Sequence, residues 1–260
     1  MTQDNHVIQG LWIGTELSRL EQLSIKSFLA NGHAYHLYTY GAVRHVPDGV
    51  VIKDANEIVP EGQKFTYNTG PGKGSYAGFA NLFRYKLLLE KGSWWADLDM
   101  VCLKPFDFSE PYVFAAQRRQ QEICVNNCCL KVPVGSELMR RCYELASQKD
   151  SSKLVWGETG PTLLNAEVER LKLGASVRPP EVFCPVDFRR FVELMEPGRP
   201  ALGDASYAVH AWHEMWRRTM QEGGRFGVVS ELWHRMKFNK NRRFSERTIL
   251  GQLQRRYGVG

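Results

Sequence analysis

The sequence lacks the features that would place it in most special classes of protein. No apolar run approaches the roughly 20 residues a helix needs to cross a bilayer. The opening MTQDNHVIQG has no basic segment followed by an apolar one, so it does not read as a secretory signal. Among the six cysteines, Cys102, Cys124, Cys128, Cys129, Cys142 and Cys184, there is no C-x-x-C pair and no zinc-finger spacing, which favours reduced structural thiols in a cytosolic compartment. No repeat of fixed period and no low-complexity stretch interrupts the chain. A phosphate-cradling loop is excluded at Gly72-Lys73-Gly74-Ser75, because the position five before Gly72 is Tyr67. No DNA or RNA module signature is present, so nucleic acid is not an expected partner.

What remains is an ordinary globular composition over 260 residues, 43% hydrophobic and 24% charged. A chain of this size buries roughly 70–75% of its unfolded surface and needs no disulfide or metal staple. The net charge of +6 is local rather than spread. Arg235, Lys237, Lys240, Arg242, Arg243, Arg247, Arg255 and Arg256 face only Glu231 and Glu246, which accounts for the whole excess. The chain therefore divides into a body, 1–229, and a basic amphipathic tail, 230–260. Trp233, Met236, Phe238, Phe244, Ile249, Leu250 and Leu253 intersperse the tail's charges. That pattern suits either an anionic membrane surface or a basic helix packed on the body.

Along the body, Val7 to Gly14 reads as a buried strand, and Thr15 with Glu16 as a helix start that Asn31-Gly32 stops. Ala34 to Tyr40 and Val50 to Ile52 read as strands. Residues 60 to 75 form a loop before a helix over 76 to 91, closed by Gly92. Ser93 to Ala96 then reads as a central strand. Further strands are expected at 112–116, 123–130, 182–185 and 207–210, and helices at 136–146 and 161–171. Strand, helix, strand from the outset predicts an α/β protein with a single, mainly parallel mixed sheet flanked by helices.

The chemistry concentrates at Asp97-Leu98-Asp99, two carboxylates at the carboxyl end of a strand, the edge where α/β sheets bind ligands. Two such acids can share magnesium or manganese while a diphosphate fills the remaining positions, or they can be solvated loop residues. Asn81 and Arg84, three apart on the preceding helix, share a face and can reach the same edge. An arginine fork there suits a phosphate, ribose or sugar oxygen.

The stretch FANLFRYKLLLEKGSWWADLDM, Phe79 to Met100, resembles the aspartate-rich signature of glycosyltransferase family 32. The matching positions are Ala80, Asn81, Arg84, Leu87 to Leu89, Gly92, Trp94, Trp95, Asp97 and Asp99. This chain has Ser93 where the family has a second glycine. LWIG (Leu11 to Gly14), NNCCLKVPVGSEL (Asn126 to Leu138), ETGP (Glu158 to Pro161) and VHAWHEMW (Val209 to Trp216) resemble further family segments in the same order.

The resemblance implies a GT-A glycosyltransferase fold and a retaining, metal-dependent hexosyltransferase. Its donor would be a nucleotide diphosphate sugar, of which uridine diphosphate sugars are commonest, and its acceptor a hydroxyl on a glycan or lipid-linked molecule. It implies metal ligands Asp97, Asp99 and His210 for Mn2+ or Mg2+, and catalytic roles for Asp97, Asp99 and Glu158. It also implies donor contacts from Trp12, Asn81, Arg84, Asn126, Asn127, Gly160 and Trp212. Each of these has a plainer reading. Trp12 can be core, His210 a satisfied strand histidine, Asn126 and Asn127 turn-bonded, and Glu158 a helix-start carboxylate.

With no membrane anchor in the sequence, a bacterial cytoplasmic enzyme of surface polysaccharide biosynthesis is expected, peripheral at the inner membrane face if the tail meets lipid. A host-directed toxin-like effector would share the donor site and differ in acceptor. Two rival readings stay open: a haloacid-dehalogenase-like phosphatase with Asp97 as nucleophile, and a catalytically silent sugar-nucleotide-binding protein.

Overall fold

The structure, a computed structural model, describes residues 6–119, 121–199, 202–223 and 228–260. In chain order its main elements are β1 (Val7–Trp12), α1 (Arg19–Ala30), β2 (Ala34–Thr39), β3 (Val50–Asp54), α2 (Ala77–Lys91), β4 (Ser93–Ala96), β5 (Met100–Cys102), β6 (Val113–Arg119), β7 (Glu122–Val132) and α3 (Glu137–Ser147). They continue with α4 (Leu163–Arg170), α5 (Pro180–Phe183), β8 (Ala208–His210), α6 (His213–Gly223), α7 (Val228–Lys237) and α8 (Ile249–Arg256).

Six strands form the main sheet in the order β3-β2-β1-β4-β7-β6. β1 pairs in parallel with both β2 and β4, and β2 with β3, while β7 runs antiparallel to β4 and β6. The expected mixed, mainly parallel α/β architecture is present. A second, two-stranded ribbon, β5 with β8, was not foreseen; its register sets Met100 opposite His210. The sheet order reverses between β1 and β4, so the carboxyl ends of these two strands flank the switch point where such sheets open a crevice.

α1 begins later than the sequence suggested. Ser18 caps it, with Glu21 returning to the Ser18 amide, so the helix starts at Arg19 while Glu16 instead pairs with Arg44. Residues 182–185 are not a strand. The pair Pro179-Pro180 presets the chain for a helical turn, and α5 occupies Pro180–Phe183. The helix expected from Pro161 starts instead as a wide turn over Glu158–Thr162, followed by α4.

α2 ends at Gly92, where φ is +61° and a Cβ would lie 2.6 Å from the Val134 amide nitrogen. Ser93 follows with φ +68°, a left-handed backbone that glycine adopts more readily than serine. The serine is held by its hydroxyl, which donates to the Val7 carbonyl at 2.9 Å.

Successive side chains of β4 feed different cores. Trp94 packs with α1, β5 and the carboxyl-terminal residues, and Trp95 with α2, α3 and β7 on the other face. Phe238, Phe244, Ile249, Leu250, Leu253, Tyr257 and Val259 belong to the first core, so much of the basic stretch after residue 230 packs on the body. No helix among the described residues is long and apolar enough to cross a membrane.

Candidate functional site

The site forms where β4 hands over to β5. The Asp97 amide donates to the Cys128 carbonyl and the Met100 amide to the Asp97 carbonyl, a turn that sets both carboxylates at the carboxyl end of the sheet. Asp97 Oδ1 accepts from Arg84 Nη2 at 2.6 Å and from Trp95 Nε1 at 2.8 Å. The Arg84 guanidinium lies 4.6 Å over the Trp95 ring, and its side chain is 4% exposed. Trp95 was read as strand and as an aromatic position of the signature; its donor role shows once the pleat turns it toward α2.

Asp99 joins the β5–β8 ribbon. Its Oδ2 accepts from the His213 amide at 2.8 Å and lies 3.2 Å from His210 Nε2, while its carbonyl accepts from the Ala211 amide. No sequence pattern pointed to the His213 amide, which is supplied by the chain's return at β8. Trp212 stacks on His210 with ring centroids 3.9 Å apart, and its Nε1 donates to the Val186 carbonyl at 2.8 Å. Trp212 has φ +58°, a strained conformation for a tryptophan that these contacts hold in place.

The two acids differ electrostatically. Burial raises the Asp97 carboxyl, Arg84 opposes it and Asp99 adds to it, leaving a net upward shift. Burial acts upward on Asp99 too, yet His210 and the His213 amide outweigh it and hold Asp99 below the ordinary carboxylate range. At His210 burial works against the charged ring, but Asp99 overcomes it and the net shift is upward. Oppositely shifted neighbouring groups mark built sites.

Asp97, Asp99 and His210 present ligand atoms within 4.8 Å of one another. Asp97 Oδ2 and Asp99 Oδ1 accept no hydrogen bond from a described residue, so each carboxylate keeps an oxygen for another partner. Two hard oxygens and an imidazole nitrogen fit Mg2+ or Mn2+ by their chemistry. Behind them lie the buried thiols of Cys128 and Cys184, whose sulfurs are 3.8 Å apart and which also group with His210.

The asparagines separate. Asn81 Oδ1 accepts from Asn127 Nδ2 at 2.6 Å and from Arg84 Nη1 at 3.2 Å, which links α2 and β7 to Asp97. Gly160 completes this cluster, since a Cβ there would stand 2.8 Å from Asn81 Nδ2. Tyr85, unremarked in the sequence, anchors the same turn by donating to the Thr159 carbonyl at 2.9 Å.

Asn126 points elsewhere, donating to Gln117 Oε1 at 2.6 Å and accepting from the Cys128 amide. Glu158 pairs with Lys149 at 2.6 Å and accepts from the Val155 amide; it bonds to neither aspartate. Trp12 ends β1, with its Nε1 buried and without a hydrogen-bond partner among the described residues, and the Lys240 ammonium 4.9 Å over its ring.

No family model and no curated protein matches the sequence. Among solved structures, the chain is similar to the PaToxG glycosyltransferase, at 18% identity and a TM-score of 0.46, covering 65% of this chain and 70% of that one. It is also similar to a transferase solved as a cysteine-to-serine double mutant, at 11% identity and a TM-score of 0.43, covering 65% and 85% of the two chains.

Proposed function

We propose that the protein is a metal-dependent GT-A glycosyltransferase, related to family 32, that moves a hexose from a nucleotide diphosphate donor to a hydroxyl acceptor. The observation that carries the reading is the meeting of Asp97, Asp99 and His210 with Arg84, Asn81, Asn127 and Gly160 beside the sheet's switch point.

Asp97, Asp99 and His210 would hold Mn2+ or Mg2+, whose charge offsets the negative charge that grows on the departing diphosphate. Arg84 opposes the burial that raises the Asp97 carboxyl and fixes that carboxylate's direction. Asn81 and Asn127, locked to each other, orient the donor, and Gly160, with no side chain, lets the Glu158–Thr162 turn close against their amides. Trp12 at the end of β1 offers a ring to the base, a stack worth about 1–3 kcal/mol. Trp212 fixes the His210 ring. Glu158, paired with Lys149, is assigned to donor positioning. Retention follows from the acceptor hydroxyl attacking on the side the diphosphate leaves, with no enzymic nucleophile. A uridine diphosphate sugar and bacterial surface glycan synthesis in the cytoplasm are the favoured setting.

A thermal-shift panel of nucleotide sugars with and without manganese tests the reading. A true donor at 100 times its dissociation constant stabilises by about 2.7 kcal/mol, and only with the metal. An aspartyl-phosphate trapped on Asp97 would instead establish the phosphatase. Binding without transfer or hydrolysis of any donor would establish the silent binding protein.

A further inference from the structure

We propose that α7 is a docking helix for an anionic membrane surface, with Leu232, Trp233 and Met236 entering the lipid interface and the surrounding basic residues meeting headgroup phosphates. The tail's other apolar residues do not need such a partner. Phe238, Phe244, Ile249, Leu250 and Leu253 are buried in the body's first core. Leu232, Trp233 and Met236 are not: they are 57%, 55% and 74% exposed, on adjacent turns of one helix.

The chemistry of the occupant follows from charge. Around these residues the chain carries Arg235, Lys237, Arg242 and Arg243 against Glu231 and Glu246, besides Lys240, which Glu21 pairs. The Lys237 ammonium lies 4.8 Å over the Trp233 ring, so cation and aromatic share one surface. An amphipathic indole beside basic side chains suits the headgroup layer of an anionic bilayer. Phe238, packed 5.7 Å from Phe191, pins the end of α7 to the body. Lys240, just beyond it, pairs with Glu21 at 2.7 Å and lies 4.9 Å over the Trp12 ring. Docking itself is independent of the transferase reading; only its consequence, an acceptor presented at the membrane, rests on that reading.

Co-sedimentation of the full chain with vesicles tests it. Wild-type protein should pellet with vesicles of equal parts phosphatidylglycerol and phosphatidylcholine and stay in solution with phosphatidylcholine alone, a difference of at least about tenfold in partitioning that high salt removes. The double variant Trp233→Glu with Met236→Glu should lose pelleting by a similar factor while keeping the wild-type melting temperature and manganese-dependent donor binding. Pelleting that is absent, indifferent to lipid charge or unchanged in the folded variant overturns the proposal. So does retention on RNA or DNA without vesicle binding.

Discussion

Arg84 spends its guanidinium on Asp97: Nη2 donates to Oδ1 at 2.6 Å, the ring of Trp95 lies beneath, and the arginine side chain is 4% exposed. The sequence suggested a fork aimed at a ligand oxygen. In the structure it acts first on the carboxylate, as the countercharge that burial demands.

Arg84→Ala should therefore weaken both metal and donor binding. A fully buried pair costs about 3–5 kcal/mol to break; because the Asp97 side chain is 29% exposed, about 2–3 kcal/mol of stability is expected here. Arg84→Lys should recover part of the stability but less of the donor affinity, since a lysine cannot reproduce the fork. Chemical denaturation and the Michaelis constant for donor separate the two effects. An unchanged constant in the folded Arg84→Ala variant would return the residue to a structural role.

Ser93 tests the turn. It sits at φ +68° with its hydroxyl on the Val7 carbonyl, so strain and hydrogen bond oppose each other. Ser93→Gly should stay within about 1 kcal/mol of wild type, because relief of strain offsets the lost bond. Ser93→Val, β-branched and left-handed, should lose about 2 kcal/mol or more. Thermal melts of the two variants check the order; a valine variant as stable as the glycine variant would contradict it.

At Gly160 a methyl group would meet Asn81 Nδ2 at 2.8 Å. Gly160→Ala should cost about 1–3 kcal/mol and push Asn81 off Asn127, with a larger loss in donor binding than in stability. Equal losses in both would make the glycine a packing residue only.

The carboxyl-terminal helix tests how far the body extends. Leu250 is 1% exposed, and the Tyr257 hydroxyl donates at 2.7 Å to the carbonyl of Cys102, in the β5–β8 ribbon that holds His210. Leu250→Ala should destabilise the whole protein by about 2–4 kcal/mol in a single cooperative transition. A separate early transition would mean that α8 melts on its own.

Much of this was legible in the sequence. β4 and its acids stood out because Ser93 to Ala96 is bounded by Gly92 and Asp97, and the turn chemistry at Gly92 carries its own reason. Asn81 and Arg84 were paired by helical spacing alone. What stayed hidden depends on distant segments. The β5–β8 ribbon joins residues more than a hundred apart, so neither the His213 amide on Asp99 nor the stacking of Trp212 could be read locally. Asn126 and Asn127 are neighbours whose bonds diverge because a strand alternates its side chains, and only the pairing with β6 shows which one meets Asn81. In the tail, charge gave no clue to which apolar residues were spoken for; the core took Phe238, Phe244, Ile249, Leu250 and Leu253 and left Leu232, Trp233 and Met236 outside.

Calorimetric titration of manganese with uridine diphosphate into wild-type protein and its Asp99→Ala variant bears most directly on the site. Wild type should bind the nucleotide only when manganese is present, and the variant, folded with its ordinary melting transition, should bind it in neither condition and transfer no sugar. Metal-dependent nucleotide binding or turnover that survives in Asp99→Ala would contradict the account.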